Sequence, residues 1–321
     1  MSDLLRIDTI QEAYHKIKEF IRKTPLIHSH YFSQLCGNDV YLKLENQQLT
    51  NAFKIRGALN RILKLNSEEK TRGIITASSG NHAQGIALAA KYLGIPAKIV
   101  VPKNISEVKL SKIKQYDVDI IQEGDFDEIE VKARKLSVQE NITYISPYND
   151  INIIAGQGTI VLEIYEELEN VNIIIVPIGG GGLISGITIA AKALYPEIKI
   201  IGVQTKGAST MYESWKAGKI IETKEFDTLA EGLLGGLESD AITFKIIQEF
   251  VDDIVLVEEE SVEKAIKLLW EMEGQIVEGA GATVVGYILE NTQKFRNKKI
   301  VAVISGGNIN NSLFKEILDN N

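Results

Sequence analysis

Short, uninterrupted runs of apolar residues alternate along the chain with longer stretches whose apolar residues recur every three or four positions. A continuous apolar run is typical of a strand buried on both faces, and the longer period is typical of an amphipathic helix. The pattern therefore predicts repeated strand and helix units around mostly parallel sheets. The strands are predicted at 39–44, 74–77, 97–101, 118–122, 143–145, 173–176, 198–203, 254–257 and 300–304, and the helices at 10–21, 54–65, 83–93, 107–115, 126–139, 158–168, 183–194, 209–217, 262–272, 280–289 and 311–318.

These units fall into two series, and the change from one to the other lies near Arg72 and again near Asp150. The 321 residues match two domains at about 100–200 residues each. No Ser-rich or Pro-rich linker interrupts the chain, so the boundary is expected to be compact. We predict a large domain formed by residues 1–72 and 151–321 and a small domain formed by residues 73–150.

Composition excludes several classes of partner. The 35 Lys and Arg residues against 43 Asp and Glu residues give a net charge of −8, which does not favour binding to nucleic acid or to an anionic membrane. The one uncharged stretch of membrane length, residues 171–191, has Pro177 and four glycines at its centre and is predicted to fold as strand, loop and helix. The single cysteine, Cys36, excludes a disulfide framework, and the first residues lack the apolar core of a signal peptide. A cytoplasmic location is expected.

The most distinctive motif is a run of four glycines between the strand predicted at 173–176 and the helix predicted at 183–194. Consecutive glycines let successive backbone N–H groups converge at a helix N-terminus, a geometry that suits phosphate. The Walker A pattern fails because Ile187 stands where its lysine should be, and the dinucleotide pattern fails in every register. A phosphate site is predicted, with a tight turn as the alternative, at Gly179, Gly180, Gly181, Gly182 and Leu183.

A second motif places Lys54 at the start of a helix predicted to end near Leu65. A protonated lysine there faces the positive end of the helix dipole, which is unfavourable, so its presence requires a reason. A lysine held as an imine provides one, because Schiff-base chemistry needs a lowered pKa. A solvated surface lysine is the alternative for this residue taken alone.

Two further segments place polar groups where a predicted strand ends. After the strand at 74–77 come Ser78, Ser79, Gly80, Asn81 and His82, where hydroxyl, amide and free helix N–H groups make a site for a carboxylate. An ordinary helix cap is the alternative. After the last strand, Ser305 lies at the strand's carboxyl end, which is the usual ligand edge of α/β sheets.

Together these four segments resemble the fold type II enzymes of pyridoxal phosphate, and within them the threonine/serine dehydratase and serine racemase group. The resemblance runs from about Thr24 to Asn308. It implies an α/β fold with two open, twisted, mostly parallel sheets flanked by helices. It also implies pyridoxal 5'-phosphate as the cofactor and a homodimer or higher homo-oligomer as the assembly.

The resemblance also implies a role for each motif residue. Lys54 would form the imine with the cofactor and Phe53 would lie against its ring. The glycine loop with Leu183 would hold the phosphate, Asn81 the 3-hydroxyl and Ser305 the pyridine nitrogen. The substrate carboxylate would be received by Ser78, Ser79, Gly80, Asn81 and His82. Ser79 occupies the position of the racemase's second-face base, and Tyr148 stands where racemases carry asparagine.

The segment that resembles the racemase metal site carries Gln204 and Thr210 in place of its acidic residues. Hard divalent cations prefer oxygen anions, so no metal is expected.

The resemblance and the neutral Ser305 together favour β-elimination, because a weaker electron sink shortens the lifetime of the carbanion. The expected reaction converts L-threonine to 2-oxobutanoate and ammonia, and L-serine to pyruvate. Three alternatives stay open: a serine racemase, a threo-3-hydroxyaspartate ammonia-lyase, and a catalytically silent amino-acid or phosphate-ligand sensor.

Overall fold

The computed structural model describes residues 6–125, 128–224 and 226–319. Its strands are β1 (Leu26–His28), β2 (Asp39–Leu44), β3 (Ile74–Ala77), β4 (Ala97–Val101), β5 (Asp119–Gln122), β6 (Thr143–Tyr144), β7 (Ile173–Pro177), β8 (Lys199–Thr205), β9 (Asp253–Val257) and β10 (Lys299–Ile304). Its α-helices are α1 (Ile7–Ile17), α2 (His30–Cys36), α3 (Lys54–Leu63), α4 (Ser67–Arg72), α5 (Asn81–Leu93), α6 (Glu107–Lys114), α7 (Ile129–Glu140), α8 (Ile151–Glu167), α9 (Gly182–Leu194), α10 (Thr210–Ala217), α11 (Ile242–Phe250), α12 (Glu259–Glu273), α13 (Gly279–Glu290) and α14 (Asn311–Asp319).

The strands form two sheets with helices packed against them. The six-stranded sheet has the order β1-β2-β10-β7-β8-β9, and the four-stranded sheet has the order β5-β4-β3-β6. All neighbours in the four-stranded sheet are parallel. In the six-stranded sheet only the β1 to β2 pair is antiparallel. The predicted α/β architecture with two mostly parallel sheets is confirmed.

The four-stranded sheet uses only strands from the middle of the chain, between Ile74 and Tyr144. All six strands of the other sheet come from before or after that segment. We therefore keep, as a proposal, the division into a small domain at 73–150 and a large domain at 1–72 and 151–321.

Several elements differ from the sequence prediction. The short β1, α2, α4 and α11 were not predicted, and Phe126, the expected start of the helix at 126–139, lies outside the described residues. Helix α8 begins at Ile151 instead of near 158, because the Asp150 carboxylate accepts hydrogen bonds from the N–H groups of Asn152 and Ile153. Gly156 and Gly158 lower the helix propensity of the N-terminal part of α8, but packing of α8 against its neighbouring helices stabilises this part.

Helix α8 packs between α3 and α9, and glycines form the contact at both crossings. A Cβ on Gly156 would lie 2.6 Å from the Cα of Gly57 in α3, and one on Gly158 would lie 2.7 Å from the backbone oxygen of Gly186 in α9. Only glycine permits such close backbone approach. The Gln157 side chain also accepts a 3.3 Å hydrogen bond from the Gly57 N–H in the first turn of α3.

Among the residues that the structure describes, no helix is long and apolar enough to cross a membrane.

Candidate active site

Lys54 opens α3, as its motif predicts, with Phe53 as the preceding cap residue. Its side chain is half-buried, and Nζ donates a 2.9 Å hydrogen bond to the backbone oxygen of Pro147. Nζ also lies 5.2 Å from the centroid of the Phe53 ring. Burial lowers the pKa of Lys54 to about 8, and the carboxylate of Glu278 opposes this decrease. A lysine in this environment has a sizeable neutral fraction near neutral pH, which favours nucleophilic and proton-transfer chemistry.

The glycine loop follows β7 and leads directly into α9, which begins at Gly182. Gly181 has φ +89°, a conformation that residues with side chains rarely adopt. The backbone N–H groups of Gly179, Gly180, Gly181, Gly182 and Leu183 make no hydrogen bond with any described residue. The loop therefore presents a run of free donors at a helix N-terminus, as an anion site requires.

Tyr148 forms the floor of this loop. It is buried, and a Cβ on Gly180 would lie 2.4 Å from its Cγ, while one on Gly182 would lie 3.1 Å from its Cα. The phenol oxygen accepts a 2.8 Å hydrogen bond from the N–H of Glu238, and burial raises the pKa of Tyr148. The structure thus gives Tyr148 a packing role under the loop, and contact with a substrate methyl stays a prediction.

The segment from Ser78 to His82 joins β3 to α5, which begins at Asn81. Ser78, Ser79, Gly80 and Asn81 are half-buried and His82 is buried. The N–H groups of Ser79, Asn81 and His82 make no hydrogen bond with any described residue. Burial, with the nearby charge of Lys54, lowers the pKa of His82 to about 3, so its imidazole is neutral. The segment can receive an anion through its free N–H groups.

Ser305 follows β10 and is buried. Its backbone oxygen accepts a 3.1 Å hydrogen bond from the N–H of Phe53, and Gly306 forms a bridge with Ala52. These contacts join the end of β10 to the segment that carries Lys54. The structure therefore brings Ser305, Phe53 and Lys54 together, and their roles toward the cofactor stay predictions.

Glu278 is a site residue that the sequence analysis missed. It precedes α13, and its carboxylate accepts hydrogen bonds from Asn81 Nδ2 at 2.7 Å and from the Asn308 N–H at 3.1 Å. Burial raises the pKa of Glu278, while these two hydrogen bonds and the charges of Lys112 and Lys109 oppose the increase. A single acid before the long uncharged helix 279–289 is the signal that could have identified it.

A buried ion cluster lies along α3 behind Lys54. The Arg56 guanidinium donates to Glu45 at 2.8 Å and to Glu163 at 2.6 Å, and Lys43 donates to Glu163 at 2.6 Å. All four side chains have 0% exposure, and their charges balance. Such a cluster holds α3 against α8 and β2, but each member depends on its partners, because an unpaired buried charge is costly.

The residues that replace the acidic pair of the racemase segment have partners within the protein. Gln204 is buried, donates to the Ile178 oxygen at 3.0 Å and accepts from the Tyr212 N–H at 2.7 Å. The Thr210 hydroxyl lies 2.7 Å from the Thr223 hydroxyl. Metal independence stays a prediction.

Comparison with known protein families gives one match that spans most of the chain. The model of the family described as pyridoxal-phosphate dependent enzyme matches residues 17–306. The match includes all the motif segments described above.

Individual relatives and solved structures are similar over nearly the whole chain. An L-threonine ammonia-lyase from Thermotoga maritima is 41% identical over 98% of this chain and 79% of the relative. A catabolic L-threonine dehydratase from Staphylococcus aureus is 43% identical over 95% of this chain and 90% of the relative. The structure of maize serine racemase superposes with a TM-score of 0.92 at 37% identity, covering 98% of this chain and 96% of the racemase chain.

Proposed function

Because the chain belongs to the pyridoxal-phosphate dependent enzyme family, we propose that it converts L-threonine to 2-oxobutanoate and ammonia, and L-serine to pyruvate. The observation that carries this proposal is the identity of 41% and 43%, over 98% and 95% of the chain, with an L-threonine ammonia-lyase and an L-threonine dehydratase.

The cofactor is pyridoxal 5'-phosphate, which when bound supplies an electron sink for the α-carbon of an amino acid. The residues present fit this group. The free N–H groups from Gly179 to Leu183 suit its phosphate, and the missing Cβ atoms of Gly180 and Gly182 let the loop pack directly on Tyr148. The half-buried amine of Lys54 suits its aldehyde.

In the proposed reaction Lys54 both binds the cofactor and transfers protons. With a pKa of about 8, its amine can accept the α-proton of the substrate and then donate a proton to the β-hydroxyl, which leaves as water. The Pro147 oxygen, 2.9 Å away, orients the amine. Phe53 packs beside it.

The remaining motif residues are proposed to orient the substrate and the cofactor. The N–H and side-chain groups of the segment 78–82 hold the carboxylate, and the neutral His82 adds no charge there. Asn81 donates to the 3-hydroxyl. Ser305, which is neutral, would hold the pyridine nitrogen of the bound cofactor and keep the electron sink weak, which would favour prompt elimination over transamination.

Serine racemisation is the second candidate, and the similarity to maize serine racemase favours it. Ser79 is half-buried beside the free N–H groups and would supply the second proton-transfer group. Hydroxyaspartate would need a cation for its second carboxylate, and the exposed ammonium of Lys206 is paired with Glu258. A silent sensor would have no use for a half-buried lysine with a lowered pKa.

The deciding experiment measures kcat/KM for L-threonine, L-serine and threo-3-hydroxyaspartate on one preparation, together with the rate of serine racemisation. We expect threonine to be converted at least as fast as serine, and EDTA to leave both rates nearly unchanged. A lead of more than about tenfold for hydroxyaspartate, a difference of about 1.4 kcal/mol, contradicts the threonine assignment. Racemisation faster than deamination also contradicts it, and strong EDTA inhibition reversed by magnesium contradicts metal independence.

We also propose a cytoplasmic location, supported by the single cysteine, and a homodimer or higher homo-oligomer, supported by the family resemblance. Light scattering on the purified protein tests the second proposal. A monomer at micromolar concentration would contradict it.

A further inference from the structure

A chain of hydrogen bonds runs through the site in one direction. Lys112 Nζ donates to Asn308 Oδ1 at 3.1 Å, Asn308 Nδ2 donates to Asn81 Oδ1 at 2.7 Å, and Asn81 Nδ2 donates to Glu278 Oε1 at 2.7 Å. Lys112 is half-buried on α6, and Glu278 is half-buried before α13. The chain thus begins at an ammonium and ends at a carboxylate.

The same chain alternates between the two sheets. Lys112 and Asn81 lie on helices that accompany the four-stranded sheet, whereas Asn308 and Glu278 lie on segments that accompany the six-stranded sheet. Three successive hydrogen bonds therefore cross between the two parts of the molecule.

The charges at the two ends fix which way the amide of Asn81 points. An ammonium can only donate and an ionised carboxylate can only accept, whereas an asparagine amide offers both an oxygen and a nitrogen. An ionised Glu278 holds the NH₂ group of Asn81 toward it, and one of the two hydrogens stays available. Both polar atoms of the Asn308 amide have partners. Its Oδ1 accepts from Lys112, and its Nδ2 donates to Asn81 and also to the Thr50 oxygen at 2.8 Å.

Lys112 donates a hydrogen bond to Asn308 Oδ1, and its positive charge opposes the increase in the pKa of Glu278 that burial causes. Burial would otherwise favour the protonated, neutral form of Glu278, which can donate as well as accept. Burial lowers the pKa of Lys112, the charge of Glu278 opposes this decrease, and Lys109, one turn away, adds to it. Lys54 is a further cation that interacts with Glu278. Lys109 pairs with Glu231 at 2.8 Å and makes no hydrogen bond to Asn308.

We propose that Lys112 is a positioning residue that acts through Asn308 and Glu278 to aim the Asn81 amide at the cofactor. It touches neither substrate nor cofactor in this role. The inference rests on the proposed placement of Asn81 beside the cofactor 3-hydroxyl, which is part of the proposed function.

The test is a pH titration of the visible absorption band of the holoenzyme, without substrate. In Lys112→Met the midpoint is expected to rise by about half a pH unit, because the Asn81 amide is no longer held in place to stabilise the deprotonated form, and because a positive charge that opposes protonation is removed. Lys112→Gln, which keeps a donor without the charge, should give a smaller rise, and Lys112→Arg should restore the wild-type midpoint. Lys109→Met is the matched control, because it removes the same charge from the same helix without breaking the chain. Thermal unfolding of each variant verifies that it folds.

Asn81→Ala separates failure of this inference from failure of the site assignment. If Asn81→Ala shifts the midpoint and Lys112→Met does not, Lys112 has no positioning role and the placement of Asn81 is retained. If Asn81→Ala leaves the midpoint unchanged, the placement of Asn81 is wrong and the inference fails with it. An equal shift in Lys109→Met and Lys112→Met overturns the inference, because the effect is then one of overall charge.

Discussion

Gly180 lies directly against the ring of Tyr148, so close that a Cβ on the glycine would be 2.4 Å from the ring's Cγ. The ring cannot easily move away, because its phenol oxygen accepts a hydrogen bond from the Glu238 N–H and its other contacts are buried. The position of the glycine loop is therefore set by an aromatic ring from a segment that also contacts Lys54 through Pro147.

Gly180→Ala is expected to weaken binding of pyridoxal 5'-phosphate by about 5- to 150-fold, because overpacking of about 1–3 kcal/mol must displace either the ring or the loop. Titration of the apoenzyme with the cofactor measures the effect. Gly236→Ala is the control, since its Cβ would meet nothing within 4 Å. Wild-type affinity in Gly180→Ala would show that the loop does not hold the phosphate.

The reactivity of Lys54 should depend on pH in a way that reports its burial. The rate at which the apoenzyme combines with the cofactor is expected to rise with pH and to level off above about 8, because only the neutral amine is nucleophilic. Borohydride reduction followed by peptide mapping should place the label on Lys54, and Lys54→Ala should lose the visible band. A rate that keeps rising toward pH ~10, the range of a solvated lysine, or a label on another lysine contradicts the assignment.

His82 should make the protein sensitive to acid. Its pKa is lowered from 6.5 to about 3 on folding, so within that window the unfolded chain binds a proton that the folded protein does not. The free energy of unfolding therefore falls as pH falls through this window, by up to about 1.4 kcal/mol per pH unit from this group. Urea unfolding of His82→Asn should show a shallower loss of stability below pH ~6. The exposed His15 provides the control, and His15→Asn should keep the wild-type slope.

Removal of Arg56 should destabilise the fold strongly. Arg56→Met leaves Glu45 and Glu163 without their shared partner, at an expected cost of about 3–5 kcal/mol in the free energy of unfolding. Arg56→Lys keeps the charge but cannot reach both carboxylates, so an intermediate cost is expected. Arg72→Met breaks an exposed pair with Glu68 and should cost about 0–1 kcal/mol. Equal costs for the two methionine variants would show that the cluster does not stabilise α3.

The periodicity of the sequence predicts most elements well, because strands buried on both faces leave uninterrupted apolar runs. The helix starts at Lys54 and at the glycine loop were also predicted. Each carries residues, a lysine or four glycines, that are unusual for a helix start and so mark its position. Short elements such as β1 and α4 were missed because they contain too few residues to show a period.

The rest of the site depends on contacts between distant parts of the chain. Asn81 and Glu278 are separated by 197 positions, and Lys112 and Asn308 by 196. A local pattern carries no information about such pairs, and Lys112 lies among other lysines on an ordinary surface helix. The sequence therefore indicates which loops carry the site, but not that Glu278 and Lys112 hydrogen-bond to Asn81 and Asn308 there.

The glycine crossings of α8 have a consequence for how accurately the reactive groups are spaced. Lys54 begins α3 and the glycine loop leads into α9, and both helices contact α8 backbone against backbone, at Gly156 and Gly158. A side chain at such a contact could change rotamer and let the helices shift, whereas a contact between main chains leaves no rotamer to change. Helix α8 thus acts as a rigid spacer that sets the separation between the Lys54 amine and the glycine loop.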